Sequence, residues 1–230
     1  MSSAHTPAVA ADGTIIHQHA HHFANAHEEF EASKQGMWLF MVTEVLMIGG
    51  LFVGYTILRS LYPEMFAQAH SALNVKLGAT NTVILITSSV TMLMGVTSAQ
   101  RGERNKSFWF LAATFVLACG FLVVKYFEYS HKIHDGLLPG GFFRWEDVKL
   151  HYPKITDAKA PIFFSLYFVM TGIHAFHVVV GMGLIAWLMR RTARKEFSPA
   201  FYTPVELVGF YWHFVDLVWI YLFPLLYLVG

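Results

Sequence analysis

The chain has 230 residues, of which 55% are hydrophobic and only 13% charged, and its formal net charge is +1. A soluble domain carries roughly 25% charge, so this composition excludes an ordinary water-soluble domain and a disordered chain. The missing basic surplus excludes nucleic acid as a partner, and a single cysteine, Cys119, excludes a disulfide framework and a cysteine-based zinc or iron–sulfur site.

Residues 1–34 read as a histidine-rich N-terminal arm. They hold His5, His17, His19, His21, His22 and His27, and no apolar core of the kind a cleavable signal peptide needs. The run HQHAHH has the composition to take a soft divalent metal, while its plain reading is a mobile, solvated tail. The first apolar segment is then expected to act as its own insertion signal.

A membrane span needs about 20 mostly apolar residues. Five segments qualify: about Gln35–Leu61, Leu77–Ala99, Ser107–Tyr129, Ala160–Met189 and Pro204–Val229. Each is too long for the roughly 9–11 residues of a membrane β-strand, and helices satisfy their own backbone hydrogen bonds in lipid. The expected fold is therefore all-α, a bundle of five transmembrane helices over 35–230. Small residues in GLFVGY and in Gly181–Met182–Gly183 offer close helix approach. The run YWHFVDLVW, with Tyr211, Trp212 and Trp219, suggests an aromatic wall facing lipid or another subunit.

Cations near the helix ends set orientation. Arg101, Arg104 and Lys106 crowd the second–third loop, and Arg190, Arg191, Arg194 and Lys195 the fourth–fifth. These densities place the N-terminus inside and the C-terminus outside. The segment 130–159 then lies outside, its Phe142, Phe143, Trp145 and Tyr152 marking either an interfacial connector or a docking surface.

An ionisable group within a span is a functional-site hypothesis by default. Glu44 falls about nine residues into the first span, roughly 13 Å deep at about 1.5 Å per residue. Lys125, Glu128 and His131 recur at intervals of three and are expected to form an outer layer. His174 and His177 lie mid-way along the fourth span; His213 and Asp216 follow in the fifth, with Glu206 nearer its inner end. Depth groups Glu44, His177 and His213 into one polar layer. Three readings stay open for it: hydrogen bonds that fix helix register, a proton relay, and a haem or metal site built from His174 or His177 with His213. A carboxylate-bridged di-metal site would be short of ligands. No phosphate loop, dinucleotide fingerprint, nucleophile elbow or HExxH motif is present.

Read together and in order, these blocks resemble subunit III of the haem–copper terminal oxidases, a family that includes cytochrome c and quinol oxidases. KQGMWLFMVTEVLMIGGLF carries Glu44 where the family has a buried glutamate; NTVILITSSVT resembles the next helix. TGIHAFHVVVG carries the paired histidines, VELVGFYWHFVDLVWIYLFPLLYLVG resembles the closing helix, and KYFEYSHKI is a weaker match at Glu128. The likeness covers about residues 33–230. The seven-helix form of the family has two further helices at its start, so this chain resembles the five-helix form, and one wall of the family's lipid cleft must come from elsewhere.

The resemblance implies an accessory subunit of an oxidoreductase complex, itself without a redox centre. Haems and copper are expected in partner subunits, and structural phospholipid on this one. It implies packing on subunit I and alongside subunit II, with a role in oxygen supply and sustained proton uptake, in a bacterial inner membrane and within reach of a larger respiratory supercomplex. Glu44, His174, His177, His213, Asp216, Lys125, Glu128 and His131 then become buried polar groups that position helices or modulate proton supply. An independent haem protein and a proton-coupled transporter are the alternatives.

Overall fold

The structure, a computed structural model, describes residues 25–199 and 201–228. The helices are α1 (Ala26–Leu61), α2 (Pro63–His70), α3 (Val75–Gln100), α4 (Arg104–His134), α5 (Trp145–His151), α6 (Ala160–Ala193) and α7 (Thr203–Phe223). A π-helical turn, Pro224–Leu228, continues α7. Among the described residues, five segments, α1, α3, α4, α6 and α7 with its π turn, are long and apolar enough to cross a membrane. The five expected spans are all present.

Local chemistry sets the ends. Asn25 caps α1 by accepting from the Glu28 N–H at 2.9 Å, so the helix starts at Ala26, ahead of the apolar run that begins near Gln35. Hydropathy marks the lipid-compatible part of a helix, not its cap. His27 accordingly lies in the first turn of α1, while His5, His17, His19, His21 and His22 lie outside the described residues. Asn74 caps α3 in the same way, accepting from Lys76 N–H at 3.0 Å. Gly102 and Gly136 end α3 and α4 in the left-handed region, with φ of +74° and +77°. Each is followed by the six-to-one bond of a Schellman end, Glu103 N–H to Ser98 O and Leu137 N–H to Lys132 O.

The short turn 101–103 folds α3 and α4 into an antiparallel hairpin, tied by Ser107 Oγ to Gly95 O at 2.9 Å and by Thr91 to Thr114 at 2.8 Å. Helix α7 is the centre of the bundle. It packs between α3 and α6, and half of its most apolar stretch is buried, against 6% for α1. Two glycines allow this closeness: a Cβ on Gly181 would come within 2.8 Å of the Trp212 ring, and one on Gly209 within 2.8 Å of Val96.

Two packing expectations change. Trp212 and Trp219 face the interior instead of lipid or a partner; both are fully buried, with their indole N–H groups on Ser88 Oγ and Thr82 Oγ1, each at 3.1 Å. Helix α7 carries apolar residues around most of its circumference, so the sequence does not show which side is inside. Gly50 and Gly54 of GLFVGY meet no other part of the chain within 4 Å of a would-be Cβ. They lie on α1, whose Trp38, Leu39, Val42, Val45, Leu46 and Val53 are exposed.

The segment 130–159 is ordered by specific bonds. Tyr152 donates to Asp135 at 2.7 Å, and Gln68 of α2 accepts from Thr156 N–H at 3.0 Å and Asp157 N–H at 3.2 Å. Phe143 and Trp145 pack on the core, while Phe142 is exposed.

Candidate functional site

Among the described residues, three separate centres gather most of the ionisable side chains within the spans. The first joins α1, α6 and α7 near mid-membrane. Glu44 Oε2 lies 3.0 Å from His177 Nε2, and both side chains are largely buried. His177 Nδ1 donates to the Ile173 carbonyl one turn back at 2.8 Å, and the Tyr211 hydroxyl donates to the His177 carbonyl at 3.0 Å. Aromatic contacts of Trp38 with Phe210 and of Phe40 with Tyr211 hold α1 to α7 on the same level.

The second centre joins α3 and α7. His213 Nδ1 meets Ser89 Oγ at 2.6 Å, and Asp216 Oδ2 lies 3.4 Å from Ser88 Oγ. Ser88 also accepts from Trp212 and donates to the Leu85 carbonyl at 2.8 Å. Depth alone puts His213 with Glu44 and His177; the structure separates them, because His213 turns toward α3. Equal depth fixes a layer but not an azimuth around the helix.

The third centre lies toward the opposite end of the bundle from the α3–α4 turn. Lys125 Nζ donates to Glu128 Oε2 and to the Tyr227 hydroxyl, both at 2.9 Å, and Tyr227 donates in turn to Glu128 Oε1 at 2.6 Å. The ammonium group sits 4.6 Å from the Trp219 ring and 5.4 Å from that of Tyr227, within cation–π range. Lys132 donates to the Ala72 carbonyl at 3.0 Å and lies 5.2 Å from the Tyr167 ring. Lys125, Glu128 and Lys132 are all nearly inaccessible.

His131 does not belong to this layer. It is 76% exposed at the side chain and faces Asp135 at 3.5 Å. The buried stripe of α4 runs Ser107, Leu111, Thr114, Ala118, Phe121, Lys125, Glu128, Lys132, alternating steps of four and three. Continuing that stripe selects Lys132, whereas a constant step of three drifts off the face to His131. Tyr227 and Lys132 are the functional neighbours that sequence reading missed, whereas Ser88 and Ser89 stand out in the sequence as polar residues of an apolar span able to bond across helices. Only Lys132 had a periodic signal to find it by.

The π turn makes the third centre possible. As the last turn of the helix it has carbonyls without intrahelical partners, and two side chains take them up. Tyr55 of α1 donates to Leu225 O and His70 of α2 bonds Tyr227 O, both at 2.7 Å. The phenol of Tyr227 is thereby aimed inward at Lys125 and Glu128. Outside the spans, burial and then the bond to the Asp135 carboxylate push the Tyr152 phenol well above its ordinary range.

His174 is nearly inaccessible and packs edge-on to Phe121 and tilted on Trp219, at centroid distances of 5.5 and 5.1 Å. Neither of its ring nitrogens has a hydrogen-bond partner among the described residues, and the same holds for the Asn81 amide and Asp216 Oδ1. His174 and His177 line an apolar groove between α1, α6 and α7, walled by Ile48, Phe52, Phe214 and Leu222. No group of three histidine, cysteine or carboxylate side chains converges on a metal-sized point among the described residues.

A family profile described as cytochrome c oxidase subunit III matches residues 7–152 and 153–230. A probable cytochrome c oxidase subunit 3 of Nocardia farcinica is 29% identical over 226 residues, 97% of this chain and 99% of the relative. The cytochrome c oxidase subunit 3 of Corynebacterium diphtheriae is 31% identical over 196 residues, covering 84% of this chain and 86% of its own length. The cytochrome bo(3) ubiquinol oxidase subunit 3 of Pseudomonas putida is 26% identical over 204 residues, 89% of each chain.

Proposed function

Because this chain belongs to the cytochrome c oxidase subunit III family and is an integral membrane protein, we propose that it serves a haem–copper oxidase as an accessory, non-redox subunit. In this role it packs on the catalytic subunit, holds lipid, and supports oxygen supply and sustained proton uptake. Electron transfer and oxygen reduction belong to haems and copper in the partner subunits.

The observation that carries this reading is that Glu44, His177, His213, Lys125 and Glu128 are each bonded across to another helix or to the π turn. Haem ligation needs ring nitrogens free on facing helices at one depth. His177 has both nitrogens engaged, His213 is tied to Ser89, and His174 is packed against Phe121 and Trp219. This donor set offers no two facing nitrogens at one depth for a haem. It fits a chain whose polar groups fix helix against helix. The narrow apolar groove between α1, α6 and α7 supports a place for a small apolar molecule such as dissolved oxygen.

The antiparallel arrangement gathers the α1 N-terminus, the α3–α4 turn and the α6–α7 turn at one end, where Lys34 meets Glu206 at 3.8 Å. That end carries Arg101, Arg104, Arg190 and Arg194 and is the cytoplasmic side in this reading.

Depleting the chain from the purified complex tests the proposal. Haem content and the initial rate stay, and activity is lost faster during turnover. A Soret band on the isolated chain that disappears with His213→Ala would replace this reading with an independent haem protein.

A further inference from the structure

Hydrogen-bond counting at Glu44 and His177 leads beyond a static brace. A carbonyl only accepts, so the 2.8 Å contact of His177 Nδ1 with Ile173 O requires the proton on Nδ1. A neutral imidazole then has a bare Nε2, and a carboxylate facing it at 3.0 Å also only accepts. The two contacts coexist only when the pair carries one more proton, either as carboxylic acid with neutral imidazole or as carboxylate with imidazolium. Both forms are neutral overall. Removing that proton breaks one bond: α1 loses its partner on α6, or the ring loses its anchor on Ile173 and leaves an unbalanced negative charge in the span.

The other contacts of α1 at this depth are apolar, Trp38 on Phe210, Phe40 on Tyr211 and the buried Met41 and Ile48, so among the described residues the pair is its polar tie to the bundle here. The helix's most apolar stretch is 6% buried, and its lipid-facing side carries exposed Val42, Val45 and Leu46. Behind the pair lies the groove walled by Ile48 and Phe52 of α1, Ile173 of α6 and Phe214 of α7. We infer that Glu44 and His177 form a proton-dependent latch that holds α1 against α6 and closes this groove, opening it sideways when the shared proton leaves. The inference stands on the geometry of the pair and is independent of the role assigned to the complex.

The other titratable groups around the pair do not supply a substitute proton or cation at Nε2. On α6, His174 lies one turn away, with Lys125 of α4 as a further charged neighbour of that ring. On α7, Tyr211 lies near Glu44, but its hydroxyl is given to the His177 carbonyl. His213 and Asp216 of α7 face Ser89 and Ser88 of α3. On α2, His70 is bonded to Tyr227 O, several turns farther along the bundle.

Spin labels on the full chain in lipid nanodiscs test the latch, one on α1 at Leu46→Cys and one on α6 at Val169→Cys, in a Cys119→Ser background. Pulsed distance measurements run from about pH 5.5 to about pH 9, spanning the ordinary imidazole range. The expected result is a single narrow distance at low pH that gives way to a longer, broader distribution at high pH. Glu44→Gln keeps an N–H that donates to Nε2 without titrating, so it holds the narrow distance throughout; Glu44→Ala shows the broad distribution throughout. A wild-type distance that does not move with pH, a Glu44→Gln chain that moves as the wild type does, or a Glu44→Ala chain that stays narrow overturns the proposal.

Discussion

The phenol of Tyr227 donates to Glu128 Oε1 across 2.6 Å, joining the π turn after the last span to the buried ion pair of α4. The Tyr227 hydroxyl oxygen accepts from Lys125, so Tyr227 stands between the two charges as both donor and acceptor. Tyr227→Phe removes both bonds while keeping the ring that Trp219 and Phe223 pack on. A loss of about 1–3 kcal/mol is expected. Thermal unfolding of the purified chain in mild detergent reads it as a lowered midpoint; an unchanged midpoint would mean that Lys125 and Glu128 satisfy each other alone.

Lys125 and Glu128 should be more damaging to remove singly than together. Lys125→Met leaves Glu128 charged and buried, and Glu128→Gln does the same to Lys125; breaking a buried pair from one side costs about 3–5 kcal/mol. The double variant removes both charges and is expected to recover part of that loss. A double-mutant cycle of unfolding free energies checks this, and additive losses would mean that the two charges do not couple.

The glycines of α6 and α1 separate internal packing from external surface. Gly181→Ala drives a Cβ to 2.8 Å from Trp212, and overpacking of this kind costs about 1–3 kcal/mol. Gly54→Ala meets nothing in the chain and gains helix propensity of up to about 1 kcal/mol. Unfolding of the isolated chain is expected to fall for the first and hold or rise for the second. A Gly54→Ala chain that is stable alone but fails to join the oxidase would mark that face of α1 as one that another subunit covers.

Tyr152 makes one contribution that depends on alkaline pH. Its folded phenol is raised above its usual range by burial and by the Asp135 carboxylate, while the unfolded phenol ionises near about 10. The stabilisation is complete below that value and is lost as pH rises through and beyond it, because only the unfolded state sheds the proton. Tyr152→Phe is expected to lower the midpoint at neutral pH and to flatten its decline above about pH 10. An alkaline decline as steep as in wild type would place the titrating group elsewhere.

The five spans and their order were legible because each is a long apolar run bounded by polar turns. Glu44 and His177 were legible as a pair at matching depth on separate helices. Azimuth was not legible. His213 shares that depth yet faces α3, and the indoles of Trp212 and Trp219 turn inward from a helix apolar on most sides. His131 failed for a related reason: a step of three departs from the alternating three-and-four stripe that carries Lys132 inward. Tyr227 had no signal at all, since its direction depends on a local π winding that composition does not announce.

The carbonyls of that π turn have a consequence for biogenesis. Leu225 O is held by Tyr55 of the first span and Tyr227 O by His70 just after it. Each bond links a residue made early in translation to one made more than 150 positions later. Until the ribosome has delivered the fifth span, Tyr55 and His70 lack these carbonyls and Lys125 and Glu128 lack the hydroxyl between them. The contacts of α1 with α2 and α6 can form as those helices arrive, but the polar ties at the far end of the bundle wait for the last residues of α7.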